Sequence, residues 1–167
     1  RVMAGEKLTD FNLKRKNQDT FAVKEAVFPF NRFPEVDVLL GPEMKSTGEA
    51  MGFDKNFGLS FAKSQMACGN ELPVSGTAFI SVKNKDKKNV LNFAQKLKEL
   101  NFKLCATSGT AKYLNGNGIN CKKINKVREG SPHIVESLNE KNIELVINTT
   151  EGTKSISDSY SLRRSAL

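Results

Sequence analysis

Hydroxyl side chains and a glycine cluster in the stretch CATSGTAKYL, residues 105–114. The apolar run 102–104 before it predicts a strand that leads directly into a helix. Free backbone N–H groups and hydroxyls at a helix N-terminus favour an anion, because that end carries the positive pole of the helix dipole. Gly109 would let the backbone approach a ligand closely. The stretch is therefore either an ordinary helix cap at Thr107 or Ser108 or a cradle for a phosphate.

Three other predicted strand ends offer groups that suit the same ligand. Lys87 lies in the first turn of a predicted helix, where a cation opposes the helix dipole and a bound phosphate would account for it. Asn148 has a donor and an acceptor that could read a base or ribose edge. Solvated lysines and an ordinary turn after the strand are the alternatives. The candidate binding residues are Lys87, Thr107, Ser108, Gly109, Thr110, Lys126, Asn148, Thr149 and Thr150.

Strands and helices alternate in the second part of the chain. We predict strands over 77–82, 102–107, 120–127 and 143–149, helices over 86–100, 108–116 and 131–141, and the start of another helix within 155–167. Val90, Phe93, Ala94 and Leu97 form the predicted buried stripe of the first helix, with Asp86 as its N-cap. This alternation predicts an α/β fold with a doubly wound parallel sheet, in which ligands bind beyond the carboxyl ends of the strands.

The first part of the chain has a different composition. Residues 67–76, ACGNELPVSG, read as a linker and place a domain boundary at about 69–75. Before it we predict a strand over 21–30, an irregular segment over 31–52 and a helix over 54–67. In that helix, Asp54 is the predicted cap and Phe57, Phe61 and Ala62 share one face. These elements are too few for an independent core, so we expect the last segment of a larger domain.

Composition excludes several classes of protein. The 167 residues carry a formal net charge of +8, which permits an anionic partner, but no recognition motif for nucleic acid is present. Three cysteines without CxxC spacing and one histidine make a zinc site improbable and favour reduced thiols in the cytoplasm. No apolar run approaches the ~20 residues that span a membrane. The termini, RVMAG and SYSLRRSAL, indicate an internal fragment of a longer protein.

Motifs for catalysis are also missing. The sequence has no Walker loop, and GNGINC, residues 116–121, fails the GxGxxG pattern. His133 stands alone after Pro132 and is expected to cap or pack a helix. We therefore assign no catalytic residue.

Two segments resemble a known family. FPFNRFPEVDVLLGPEMKSTGEAMG, residues 28–52, closely resembles the end of the second synthetase domain in carbamoyl-phosphate synthase large subunits. ATSGTAKYL, GIN, NKVREGSPHI and INTTEGTKSISDSYSLRRSAL resemble the allosteric domain that follows it. The segments occur in the family's order and cover essentially the whole chain, and the bacterial form is nearest.

The resemblance implies a domain plan. Residues 1–70 would be the tail of an ATP-grasp synthetic domain. Residues 74–167 would be a methylglyoxal-synthase-like allosteric domain, a Rossmann-like three-layer α/β/α fold without its last elements. The nucleotide and metal residues of the ATP-grasp domain would lie upstream. The fragment would then hold no cofactor or metal, whereas the parent ligase would use ATP with Mg or Mn.

The resemblance also implies ligands and partners. Bacterial members bind UMP as inhibitor and IMP as activator at one overlapping site, whose phosphate contacts match Lys87, Thr107 and Thr110. Further nucleotide contacts match Lys126, Asn148 and Thr150, and Ser108 replaces a common histidine. Ornithine, another activator, would contact Glu25, whereas Phe28 falls where the family has a smaller aliphatic residue. The partners would be the rest of the large subunit, a glutaminase small subunit and further copies of the enzyme, not nucleic acid or a membrane.

An enzyme of the same fold is the alternative function. A methylglyoxal-synthase-like lyase would eliminate phosphate from a triose phosphate, and this needs a carboxylate base beside the phosphate. The family's enzymes carry Gly-Gly-Asp where this chain has EGSPHI, residues 129–134. Glu129 is the only carboxylate that the sequence places near, and it is displaced.

Overall fold

A computed structural model describes residues 1–13, 19–33 and 35–167. These residues divide into two compact units, one formed by 1–26 and 49–70 and the other by 27–48 and 71–167. The strands are β1 Phe21–Val27, β2 Gly48–Asp54, β3 Thr77–Ser81, β4 Lys103–Ala106, β5 Lys122–Lys123 and β6 Leu145–Asn148. The helices are α1 Phe57–Ala67, α2 Lys87–Glu99, α3 Ser108–Gly116, α4 Ile134–Asn139, α5 Thr153–Asp158 and α6 Tyr160–Ser165. Short 3-10 helices cover Val2–Ala4, Leu8–Asp10, Phe30–Arg32, Asn84–Asp86 and Val127–Glu129.

The second unit contains a parallel sheet in the order β5-β4-β3-β6. Phe79 of β3 lies opposite Cys105 of β4 on one side and Val146 of β6 on the other. The chain builds the sheet outward from β3 through β4 to β5 and then returns to the far side of β3. The topological switch point therefore lies between β3 and β6, and the predicted α/β fold with a parallel sheet is confirmed.

Alternation of side chains along the strands produces two apolar layers. Ala78 and Ile80 of β3 pack into a cluster with α2 and α3, which contribute Val90 and Leu114 among others. Phe79 faces the other way and packs with residues of α4 and α6. Helices thus cover both faces of the sheet, as a doubly wound fold requires.

Several predicted boundaries were wrong in the second unit. The predicted strand 120–127 shrinks to β5, which has only two residues. Helix 131–141 shrinks to α4, which begins at Ile134 with His133 as its N-cap. His133 accepts a hydrogen bond from the backbone N–H of Glu136, and the Glu136 carboxylate accepts one from the backbone N–H of His133. This reciprocal pair starts the helix three residues later than predicted.

The predicted buried stripe of α2 was correct except at one position. Val90, Ala94 and Leu97 are buried, but the side chain of Phe93 is 42% exposed. Positions 90, 94 and 97 suffice to cover the sheet, so position 93 lies at the edge of the contact.

In the first unit, α1 belongs to the same unit as the two-stranded sheet of β1 and β2. Gly48–Asp54 is a strand where the sequence predicted irregular structure, and the N-cap of α1 is Asn56 rather than Asp54. Asn56 accepts a hydrogen bond from the N–H of Leu59 at 3.1 Å. Phe57 and Phe61 are exposed, whereas Ser60 and Ser64 of α1 are buried.

The cysteines differ in accessibility, which gives a testable result. Burial raises the pKa of the Cys105 thiol to about 12 and that of Cys121 to about 11, whereas Cys68 is partly exposed. We expect a disulfide exchange reagent at pH 8 to modify Cys68 first and the other two thiols only after unfolding, because the thiolate is the reactive form. Cys68→Ser should abolish the rapid phase. A native protein that reacts rapidly at three thiols would contradict this assignment.

Candidate functional site

A cavity of about 230 Å³ opens at the carboxyl ends of the strands, next to the switch point. Phe79 and Ser81 of β3 and Asn148 of β6 contribute to its wall, and Leu162 of α6 lies on the helix side. Five predicted site residues line it: Thr107, Lys126, Asn148, Thr149 and Thr150. The four others, Lys87, Ser108, Gly109 and Thr110, belong to α2 and to the first turn of α3.

The start of α3 is shaped by the sequence Thr-Ser-Gly-Thr. Thr107 is the N-cap in extended conformation, but its hydroxyl does not cap the helix within the described residues. Thr107 is buried and lines the cavity. Lys87 lies over the same turn, since a Cβ built on Gly109 would stand 3.4 Å from the Lys87 Nζ. The glycine and the ammonium therefore occur together, as a phosphate cradle needs.

Two threonines of the predicted site act on the backbone of the loop after β3. The Thr149 hydroxyl accepts a hydrogen bond from the N–H of Lys83 at 3.1 Å. The Thr110 hydroxyl, which is buried, accepts a long one from the N–H of Val82 at 3.5 Å. These contacts tie the loop after β3 to the first turn of α3 and to the end of β6.

Lys126 enters the site from the third strand end. It is the N-cap of the 3-10 helix 127–129, where its backbone N–H donates to the Glu129 carboxylate at 3.0 Å. That contact fixes the main chain at the point where the Lys126 side chain reaches the cavity. Glu129 thus acts as a cap for this turn.

Charged residues that the sequence did not single out also line the cavity. They are Lys83, Arg128, Glu151 and Asp158. Both carboxylates are in ion pairs: Asp158 with Arg128 at 2.7 Å and Glu151 with Lys85 at 2.9 Å. The hydrogen bond from Lys85 lowers the pKa of Glu151. Glu129 is therefore not the only carboxylate near the site. Lys83 follows β3 directly, a position that could have identified it, whereas Arg128 and Asp158 meet only through tertiary folding.

The residues expected to contact ornithine have partners of their own. The Glu25 carboxylate in β1 accepts a hydrogen bond from the Gln65 side chain of α1 at 2.8 Å. The Phe28 ring stacks on the Phe30 ring, with 5.6 Å between centroids. The ornithine contacts stay a prediction.

Within residues 1–13, 19–33 and 35–167, His, Cys, Asp and Glu side chains nowhere gather in a group of three that could hold a metal ion. Among the same residues, no helix has the length and apolar character to cross a membrane.

Comparison with known proteins agrees with the fold. Residues 89–167 match the family described as MGS-like domain. The chain is 53% identical over 173 aligned residues to the carbamoyl phosphate synthase large chain of Mesorhizobium japonicum, which covers all of this chain and 15% of the relative. The corresponding large chains of Pseudomonas syringae and Methanobrevibacter smithii are both 52% identical, over 100% and 99% of this chain and 16% of each relative. The chain thus spans about one sixth of the length of these curated relatives.

Proposed function

Because residues 89–167 match the family described as MGS-like domain, we propose that this chain is the regulatory, nucleotide-binding portion of a carbamoyl phosphate synthase large chain. The ligand is a nucleoside monophosphate of the UMP or IMP type. The observation that carries this proposal is the cavity at the switch point, where a polar wall and several cations surround one space. Ligands of doubly wound sheets bind at this position.

The described contacts support a distinct role for each group of site residues. A phosphate at the start of α3 would receive backbone N–H groups and the Thr107 hydroxyl, and the positive end of the helix stabilises its charge. Lys87, which lies beside Gly109 outside the cavity lining, and Lys126 in the cavity wall would neutralise the phosphate. Asn148 and Thr150 supply donors and acceptors for the ribose or base. Thr149 and Thr110 hold the loop after β3 in place.

Regulation requires a link from the cavity to the rest of the enzyme. The cavity is bordered by α6, whose Arg163 donates a hydrogen bond of 2.9 Å to the Asp37 carboxylate. This bond lowers the pKa of Asp37. The Tyr160 hydroxyl of α6 donates to the carbonyl of Glu35 at 3.1 Å. Segment 27–48 is thereby tied to α6 and continues along the chain into β1 and β2, so a ligand that shifts α6 would alter this segment.

The wider assignment follows from the same proposal. Residues 1–70 would be the tail of the ATP-grasp domain and 74–167 the allosteric domain. The parent ligase would make carbamoyl phosphate from bicarbonate, ammonia from glutamine, and ATP with Mg or Mn, for pyrimidine and arginine biosynthesis. Its partners would be the remainder of the large chain, the glutaminase small subunit and further copies, in the cytoplasm. UMP, IMP and ornithine would be its effectors, and the chain itself would not be catalytic.

The arrangement of carboxylates does not favour the lyase alternative. A lyase needs a free carboxylate base near the phosphate. Asp158 and Glu151 are both paired with cations, and Glu129 caps the turn after Lys126. A carboxylate whose pKa is lowered, as that of Glu151 is, is a weaker base.

Titration with UMP, IMP and dihydroxyacetone phosphate tests the proposal. We expect either nucleotide to raise the melting temperature, because a ligand that binds only the native state at 100 times its Kd stabilises it by about 2.7 kcal/mol. Lys126→Met should weaken nucleotide binding about tenfold, since a hydrogen bond to a charged group contributes ~1.5–3 kcal/mol. Lys112→Met, which removes the same charge from an exposed position of α3, is the control. If the melting temperature does not shift with UMP or with IMP at millimolar concentration, the proposal is refuted. Release of methylglyoxal from dihydroxyacetone phosphate would favour the lyase.

A further inference from the structure

Lys83 is a charged residue of the cavity that the matched family positions do not include. Its side chain lines the cavity and is 25% exposed, so the ammonium is partly withdrawn from solvent. The Lys83 ammonium pairs with the Asp86 carboxylate, with 3.7 Å between Lys83 Nζ and the carboxylate oxygen. That separation is longer than a charge-assisted hydrogen bond, which is ~2.7–2.9 Å. The ion pair is therefore loose.

The backbone of Lys83 is held more firmly than its side chain. Its N–H donates to the Thr149 hydroxyl at 3.1 Å, which ties the loop after β3 to the end of β6. A fixed main chain with a loosely paired ammonium can exchange partners without moving the loop. The nearby carboxylate Glu151 is already in an ion pair with Lys85 at 2.9 Å, which leaves Asp86 as the main competitor for Lys83.

We propose that Lys83 binds the anionic group of the effector and leaves Asp86 when it does so. This inference rests on the proposed function, because it concerns the same cavity and a phosphate-bearing ligand. The phosphate offers oxygens at charge-assisted distance in exchange for the 3.7 Å contact. Because Asp86 competes with the effector for the Lys83 ammonium, it lowers the affinity of the protein for the effector.

Two substitutions with opposite expected effects test this exchange. Lys83→Met should weaken the binding of UMP, measured by calorimetry, about tenfold. Asp86→Asn removes the competing charge, keeps a residue suited to the N-cap position of α2, and should tighten UMP binding severalfold. Lys88→Met removes a neighbouring exposed cation that does not line the cavity and should change the affinity less than twofold. Inorganic phosphate, titrated as a second probe, should follow the same order.

The outcomes separate this inference from the proposed function. If the unaltered protein binds neither UMP nor IMP, the proposed function fails. If it binds UMP and Lys83→Met binds equally well, only the role of Lys83 is overturned. Tight binding by Lys83→Met together with unchanged binding by Asp86→Asn overturns the exchange completely. Should Lys83→Met fail to fold, as judged by its circular dichroism, Asp86→Asn and Lys83→Arg decide: the first must tighten binding and the second must retain it.

Discussion

Replacing Gly52 with alanine is expected to destabilise the first unit by about 3 kcal/mol. A Cβ at this position in β2 would overlap the backbone carbonyl oxygen of Ser60 and stand 2.6 Å from the backbone nitrogen of Ser64. Both neighbours are main-chain atoms of α1, so no side-chain rotation can relieve the overlap. The helix would have to move away from the strand, and the buried contact of the two serines would be lost.

The same strand supplies the control for this experiment. Gly48, the first residue of β2, has no atom within 4 Å of an added Cβ among the described residues, so Gly48→Ala should change stability by less than ~1 kcal/mol. Thermal unfolding followed by circular dichroism, with limited proteolysis to locate the change, measures the difference. Equal stability of the two variants would show that α1 does not pack on β2 through Gly52.

The contact between Gly52 and the serines explains why sequence patterns failed for α1. The sequence pattern placed Phe57 and Phe61 on one face of the helix, but both side chains are exposed. The structure instead brings the helix backbone close to a glycine, and such close approach needs small side chains, which Ser60 and Ser64 provide. Hydroxyl groups satisfied by backbone carbonyls can be buried, as in the 2.9 Å bond from Ser60 to Phe21. No hydrophobic pattern signals this arrangement.

In the second unit, the elements predicted from the sequence agree more closely with the structure. Strand–helix alternation predicted the parallel sheet, and the stretch Ser108–Gly116 predicted α3 with its correct bounds. Within the candidate site, the sequence selected residues next to strand ends, because their position depends only on local order along the chain. It missed Arg128 and Asp158, which pair across two separate elements, since such a meeting depends on how α5 packs. Lys83 is an intermediate case, because it follows β3 in the sequence but belongs to no motif that would have identified it.

Phe79→Ala is expected to lower the free energy of unfolding of the second unit by about 3–5 kcal/mol. The Phe79 side chain is 1% exposed and packs with Cys105, Ile134, Leu138 and Leu162 on the α4 and α6 face. It also forms part of the wall of the candidate cavity. Its removal would leave a void between the sheet and α6, so nucleotide affinity should fall together with stability.

Phe93→Ala is the matched control. It tests whether Phe93 is buried, as the helical spacing predicts, or exposed, as in the structure. The helical spacing placed Phe93 in the buried stripe of α2, whereas the structure leaves it 42% exposed. Its truncation should cost less than ~1 kcal/mol, because alanine favours the helix and little apolar contact is lost. Urea unfolding by circular dichroism measures both variants, and Phe79→Leu serves as a milder change if Phe79→Ala does not fold. A loss at Phe93 equal to that at Phe79 would mean that α2 lies on the sheet in the orientation given by its sequence spacing. The cavity geometry would then have to be revised, because the helix that carries Lys87 would be rotated.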